Sequence, residues 1–432
     1  MYRRTTRRKG KSVEEKMVRK RKLKYLFALL LTLAFVSLGF LISYTERSHP
    51  NCVKIAQNTF HASRDVLSDV SETAQPLKSS SGRNRSQYNL TNASLHSTSK
   101  RLVLLIVAHG RSGSTFLADI FNQHPRVFYI FEPLHVLNAR LLKPGVYDIH
   151  AFDLLHRIFQ CDFSNVTQHS GVFYRFKSRA MSSPPFCKYN PGDPSWDFKH
   201  CSPVKREDLE YSCKMQHDTI VYKLLLERIP GQSIANIFQV CEKAGLACNV
   251  IHLIRDIRPV MISSKMVSFF KEVNQKSKPS LRQYVYSRCE MTEKNLHIVK
   301  TLQPTFRKRY AIVRYEDLAK QPLTLLQYLY DFAGLEVLDS IKLWLRNVTH
   351  PSETKLKEQA NNPVSVVRDS VKTLNKWRIV ADSCEVNVIE RYCRDVMEFL
   401  GYVQTRGSDA LLRNLTTPLF RDTYPLQEWN TG

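Results

Sequence analysis

Apolar and polar positions fall into three regimes along this chain. The first apolar feature is YLFALLLTLAFVSLGFLISY at 25–44, twenty residues without a formal charge. A helix of that length spans about 30 Å, the thickness of a bilayer's hydrocarbon. Apolar periodicity then fades. Between 45 and 100 the chain is rich in Ser, Asn, Thr and Gln, and SSSGRNRSQYNLTNASLHSTSK has little to bury. At Arg101 the texture changes to LVLLIVAHGRSGSTFLADIFNQHP. The continuous apolar run at 102–108 predicts a buried strand and 114–121 the helix that follows it. Further strands are expected at 128–131, 249–254 and 311–314. The run at 220–226 reads as a strand, with a helix as its alternative. Helices are expected at 233–244, closed by Gly245, at 323–332, closed by Gly334, and at 385–400. Strands separated by helices predict an α/β fold with a mostly parallel central sheet covered on both faces. The stretch 184–213, with prolines and three cysteines, reads as an irregular insertion.

Charge turns the first apolar run into a topology signal. The chain has 432 residues, 43% of them hydrophobic, and a formal net charge of +25. Residues 1–24 hold twelve Lys or Arg against Glu14 and Glu15, so this tail alone carries +10. A basic flank stays cytoplasmic, which makes 25–44 a signal-anchor and places the rest in the lumen. A cleaved signal peptide is the competing reading; the long basic tail and the length of the run favour a retained anchor. N-x-S/T sequons at Asn84, Asn89, Asn92, Asn165, Asn347 and Asn414 agree with a lumenal body. The ten cysteines show no CxxC pair or zinc-like spacing, so they read as disulfide partners and no metal site is expected. Cys241 and Cys248, and Cys384 and Cys393, are close in sequence, which does not establish pairing. The expected organisation is a tail at 1–24, an anchor at 25–44, a glycosylated stem at 45–100, a globular body at 101–425 and a short tail at 426–432. The sequence assigns no oligomeric state.

Two stretches of the body have the chemistry to hold anions. HGRSGST at 109–115 lies between the first strand and first helix. Its glycines permit a tight turn, its amides and the helix start face outward, and Arg111, Ser112, Gly113, Ser114 and Thr115 supply charge, hydroxyls and backbone donors. The spacing is not that of Walker A, and no magnesium-binding carboxylate accompanies it. The bland alternative is a Gly/Ser turn that binds nothing. In LIRDIRPVMISSKM, Arg255 falls at the carboxyl end of a strand, where open sheets place ligands, and Ser263 follows eight residues later. An ordinary Arg255–Asp256 ion pair is the alternative there.

With those motifs in view, the body resembles the Golgi carbohydrate 6-O-sulfotransferases that act on galactose, GalNAc or GlcNAc. The resemblance rests on HGRSGSTFLADIFNQHPRVFYIFEPL at 109–134, LIRDIRPVMISS at 253–264 and VRYEDL at 313–318, in that order, and extends from about 101 to 405. It implies the P-loop-like sulfotransferase fold and PAPS, 3′-phosphoadenylyl sulfate, as donor substrate. Arg111, Ser112, Gly113, Ser114 and Thr115 would then grip the 5′-phosphosulfate, and Arg255 with Ser263 the 3′-phosphate. Ile257 departs from the family, which commonly has Pro after Arg-Asp. The implied reaction is in-line transfer of a sulfuryl group to a primary sugar hydroxyl, without metal or covalent intermediate. Glu132, at a strand end, is the preferred base and His135 the second choice. Lys223 resembles a lysine that steadies the transferring group, while Trp377 and Arg378 are expected to cover the nucleotide. The implied partners are PAPS, a keratan- or chondroitin-like acceptor chain and the Golgi membrane. A noncatalytic membrane receptor for acidic glycans is the competing reading. A nucleotide kinase fits the loop and topology poorly, and nucleic acid is disfavoured because no helix-turn-helix or zinc-finger spacing accompanies the charge.

Overall fold

A computed structural model describes residues 101–137, 142–164, 174–191, 193–266, 281–359, 362 and 365–424. All lie in the compact unit Ala93–Gly432. The expected tail, anchor and stem, and the sequons at Asn84, Asn89, Asn92 and Asn165, fall outside the described residues. None of the described helices is long and apolar enough to cross a membrane.

The principal elements, in chain order, are β1 (Leu102–Ala108), α1 (Ser114–Asn122), β2 (Val127–Phe131), α2 (Pro144–Phe159), β3 (Thr219–Leu225), α3 (Ile234–Lys243), β4 (Asn249–Ile254), α4 (Ile257–Met266), α5 (Leu281–Lys300), β5 (Tyr310–Arg314), α6 (Tyr315–Lys320), α7 (Pro322–Phe332), α8 (Asp339–Thr349), α9 (Ser370–Val380), α10 (Ser383–Tyr392) and α11 (Arg394–Phe399). The five strands form one sheet in the order β2-β3-β1-β4-β5, and every neighbouring pair is parallel. The open choice at 220–226 resolves as a strand. β3 lies between β2 and β1, and all seven of its residues are buried.

Alternation along β1 feeds two cores. Val103, Leu105 and Val107 pack with α2, α3, α5, α10 and α11 on one face. Leu104, Ile106 and Ala108 pack with α1, α6, α7, α8 and α9 on the other. A strand buried on both faces loses the polar alternation of an exposed sheet, which is why it reads as an unbroken apolar run. Each fully buried Leu or Ile contributes about 1.5–3 kcal/mol.

Helices α2, α4, α5, α6, α8 and α9 were not among the expected elements, and two of them show why. In α5 the buried positions include Arg288, Thr292 and Asn295, which dilute the apolar periodicity. α2 opens on Pro144 at its first turn, a helix-start signal, and buries Tyr147, Ala151, Leu155 and Ile158. The single helix expected at 385–400 is instead α10 and α11. The backbone leaves helical geometry at Cys393 (φ −112°, ψ 14°), where a disulfide ties it to Cys289 of α5. Cys241 and Cys248 are bonded to each other. The 184–213 insertion is largely irregular, as expected. The Cys187–Cys201 disulfide closes it, a short helix at Arg206–Tyr211 interrupts it, and Cys213 joins Cys161.

Candidate active site

The sheet order places β1 between strands that follow it on opposite sides, so loops leaving β1 and β4 diverge across a crevice at their carboxyl ends. The 109–115 loop occupies that switch point. Ser112 donates its amide to the His109 carbonyl at 3.2 Å. Arg111 (φ 70°) and Gly113 (φ 89°) flank it in left-handed geometry. This curl turns backbone N–H groups toward one concavity. Gly113 is needed twice: its φ is costly for an L side chain, and an added Cβ would stand 2.4 Å from the Tyr315 ring.

The base of the loop is fixed by a buried network that sequence reading missed. Glu227, just beyond β3, accepts the Gly110 amide at 3.1 Å and pairs with Arg288. Thr292 Oγ1 lies 2.9 Å from both the Arg288 carbonyl and His109 Nε2. His109 Nδ1 lies 3.1 Å from Glu227 Oε1 and 3.3 Å from Arg288 Nη1, and the imidazole tautomer sets which of the two it bonds. Burial, then the Arg288 charge, holds His109 well below the ordinary histidine range, so it is a neutral strut. Burial pulls Arg288 down to about 9. Glu227 sits two residues past an apolar strand, and only the tertiary partners give it meaning.

Arg255 leaves the end of β4 and donates to the Arg111 carbonyl at 3.1 Å. Its guanidinium lies 4.3 Å from the centre of the Tyr315 ring. Arg111 in turn donates through Nε to Ser263 Oγ at 3.0 Å, on the second turn of α4. The two expected phosphate elements are therefore one continuous surface. The alternative Arg255–Asp256 pair gives way to another: Asp256 pairs with the fully buried Arg258 at 2.7 Å, and Arg258 also meets Glu390 at 2.7 Å. The VRYEDL segment locks this arrangement. Tyr315 touches both Gly113 and Arg255. Glu316 accepts the Asp256 amide at 3.1 Å and the Tyr402 hydroxyl at 2.9 Å. Burial, then the Asp256 charge, pushes Glu316 up to about 7. Arg314 meets Asp317 at 2.6 Å.

The electrostatics favour an anion. Burial, followed by repulsion from Arg255 and Arg368, lowers the Arg111 pKa, with Glu132 opposing. Arg255 Nε is buried without a hydrogen-bond partner. Unpaired buried donors of this kind cost about 1–3 kcal/mol each, and an anion accepting from them recovers that cost. Arg255 and Ser263, the Arg111 charge and the curled loop amides thus fit a ligand carrying phosphate groups. Arg368 is a second member of this cluster that the sequence did not reveal.

Beside it, at the end of β2, Glu132 has left-handed backbone geometry (φ 40°, ψ 58°). Its amide donates to the Lys223 carbonyl at 3.0 Å. Its carboxylate pairs with Lys223 and with Arg228, the latter at 2.5 Å. Burial alone would raise Glu132, but the charges of Lys223 and Arg228 outweigh it and hold the carboxyl below its usual range. Lys223 is buried in β3, with its ammonium 4.3 Å from the centre of the Phe131 ring. Burial, its largest influence, lowers its pKa; Glu132 opposes, while Arg228 and Arg111 add to the lowering. His135 is exposed in the turn that follows, close enough to Glu132 to help hold it ionised.

Residues 103–378 match the sulfotransferase domain family. This chain belongs to that family. It is 26% identical to mouse carbohydrate sulfotransferase 4 over 70% of this chain and 82% of that protein. It is also 26% identical to human carbohydrate sulfotransferase 6, over 74% and 85% respectively. Among solved structures, the sulfotransferase domain of a Synechococcus PCC 7002 olefin synthase is 17% identical, with a TM-score of 0.36, covering 68% of this chain and 94% of that one. The part of the chain matched to the sulfotransferase family carries all three motifs and Arg111, Glu132, Lys223, Glu227, Arg255, Ser263 and Arg368; Glu390 and Tyr402 lie beyond it.

The match ends at Arg378, one of two residues the structure does not bring to the crevice. Arg378 is fully buried and donates to the carbonyls of Leu411, Leu412, Asn414 and Thr417. Those bonds commit its guanidinium to the C-terminal segment, and the expected phosphate contact is replaced by a structural one. Trp377 is buried, with the Arg258 guanidinium 5.1 Å from the centre of its ring. It packs inside the late helices, where stacking on adenine was expected. Among the described residues, no cluster of His, Cys, Asp or Glu is placed to hold a metal ion.

Proposed function

We propose that this sulfotransferase is a single-pass Golgi membrane protein, anchored by 25–44, whose lumenal body transfers a sulfuryl group from PAPS to the 6-hydroxyl of galactose or an N-acetylhexosamine. The acceptor is a glycan or proteoglycan chain of keratan or chondroitin type. One observation carries the reading: Arg111 and Arg255 converge on a single crevice, linked through Ser263 and the Arg111 carbonyl, with a buried guanidinium nitrogen unpaired. The family supports the reaction class, and the relatives' names support a carbohydrate acceptor.

PAPS supplies, when bound, a sulfuryl group already activated on its 5′-phosphate. The 111–115 loop supplies the positive potential that the 5′ group requires, and Arg255 with Ser263 that for the 3′-phosphate. Lys223 holds an ammonium beside Arg111's field and is anchored by Glu132. Glu132 takes the proton of the acceptor hydroxyl. Each carboxylate oxygen keeps a lone pair beyond its ion pair, so an alcohol can donate to it. The attacking oxygen becomes acidic as its new bond forms, and a weakly basic carboxylate suffices.

The test is incubation of the purified lumenal body with radiolabelled PAPS and a panel of keratan-, chondroitin- and GlcNAc-terminated acceptors, followed by assignment of the sulfated carbon. Label at C6 is expected, and Arg111→Ala should reduce transfer at least a hundredfold. Folded protein that binds PAP but labels no glycan would overturn the transferase reading. Glycan binding without nucleotide binding would favour a receptor.

A further inference from the structure

Next to the proposed transfer site, one aromatic ring stands partly exposed against Phe131. Phe176 is 43% exposed. Its ring packs edge-on against Phe131, the last residue of β2, at a centroid distance of 5.1 Å. Phe131 in turn meets the Lys223 ammonium, so Phe176 stands one ring away from Lys223 and one residue's reach from Glu132. Residues on either side pin it there. The Tyr174 hydroxyl reaches the Pro133 carbonyl at 3.5 Å. Ser178 donates to the Tyr129 carbonyl at 2.7 Å, and Asn122 donates to the Lys177 carbonyl at 2.7 Å. Lys177, between them, is in left-handed geometry (φ 59°). The chain thus spends backbone strain and three hydrogen bonds to keep an apolar ring partly exposed beside Phe131, whose own ring meets Lys223.

Resting on the transferase reading above, we infer that Phe176 is the platform on which the apolar face of the acceptor hexopyranose stacks. The chemistry is complementary. A pyranose presents a face of C–H groups flanked by hydroxyls at its rim. An aromatic face takes the C–H groups while the rim hydroxyls remain free for polar partners, and a rigid ring loses little entropy on binding. Stacking beside Lys223 fixes the sugar's orientation, which decides the hydroxyl that meets Glu132. Phe176 is a binding residue for the acceptor and makes no claim on the donor.

Three variants test this: Phe176→Ala, Phe176→Leu and Phe176→Trp. Steady-state kinetics should show acceptor KM raised about tenfold in the Ala and Leu variants and near wild type in the Trp variant, with PAPS KM unchanged in all three. Saturation-transfer NMR with PAP and unsulfated acceptor reads the contact without turnover. Saturation should appear on the sugar ring protons with wild-type protein and vanish with Phe176→Ala. Unchanged acceptor KM and saturation in Phe176→Ala would overturn the platform, as would full rescue by Leu. Phe176-dependent sugar binding without any sulfate transfer would overturn the transferase reading and leave the platform standing. No sugar contact with wild-type protein would overturn both.

Discussion

Among the described residues, the partners of five buried or half-buried arginines, Arg258, Arg314, Arg378, Arg111 and Arg255, separate frame from function. Arg258, Arg314 and Arg378 have carboxylates or carbonyls for their donors. Arg255 also donates to a carbonyl, that of Arg111, and Arg111 to Ser263, but these two guanidinium groups crowd each other and Arg368, and repulsion among them adds to the desolvation of Arg111. A folded chain tolerates such crowding where an anion relieves it. Glu132 poses the opposite problem, because two cations hold its carboxyl below the ordinary value of 4.5. A base with a depressed pKa remains ionised as the pH falls through the normal carboxylate range, and its activity is lost only below that range. If Glu132 takes the proton, kcat should therefore stay flat between about pH 5 and 8. A histidine base of ordinary pKa, about 6.5, would give a tenfold decline per unit below that value. Glu132→Gln should lower kcat by about 10²–10⁴ with little change in PAPS KM. A rate profile that falls through pH 6.5 and is abolished by His135→Ala would transfer the role to His135.

At the scale of elements, the three motifs behave as one machine part, and Gly113 shows how. An alanine there meets two obstacles, a φ of +89° and the Tyr315 ring at 2.4 Å. Relief requires Tyr315 to move, yet that ring underlies Arg255. Gly113→Ala is expected to cost about 1–3 kcal/mol of stability and to weaken PAP binding more than tenfold, measured by thermal denaturation and calorimetry. Adding Tyr315→Ala should restore part of the stability while leaving PAP binding weak, because Arg255 then lacks its support. The sequence made such elements unevenly legible. β1, β4 and the 109–115 loop declare themselves, since a doubly buried strand is a continuous apolar run and a glycine turn has few other uses. α5 stays hidden because its buried face carries Arg288, Thr292 and Asn295, which pair with Glu227, His109 and Ile234, far away in sequence. For the same reason Glu227, Arg228 and Arg368 were missed. Trp377 and Arg378 misled in the other direction. An adjacent aromatic and cation look like nucleotide ligands until the carbonyls of 411–417 are seen to take the guanidinium.

For the whole molecule, the disulfides and the charge asymmetry point to the same topology. Cys289–Cys393 joins residues 104 apart in sequence and Cys161–Cys213 residues 52 apart, each bond linking separate elements of the body. Cross-links of that span contribute about 3–5 kcal/mol by restricting the unfolded chain, and they form in oxidising compartments. Such cross-links fit the proposed lumenal body, while a tail of +10 in 24 residues is expected to resist crossing a membrane. Only the uncharged run at 25–44 lies between tail and stem, and its length is that of one membrane crossing. Asn347 and Asn414 are both exposed on the body, available to a lumenal glycosyltransferase. Full-length protein made in the presence of microsomes should therefore show a body protected from added protease and an N-terminal epitope that is digested. Endoglycosidase should increase its gel mobility, and carbonate extraction should leave it in the membrane. A body digested without detergent would invert the topology. Release by carbonate would show instead that the apolar run is cleaved after targeting, so that the tail's charge serves only to deliver the enzyme.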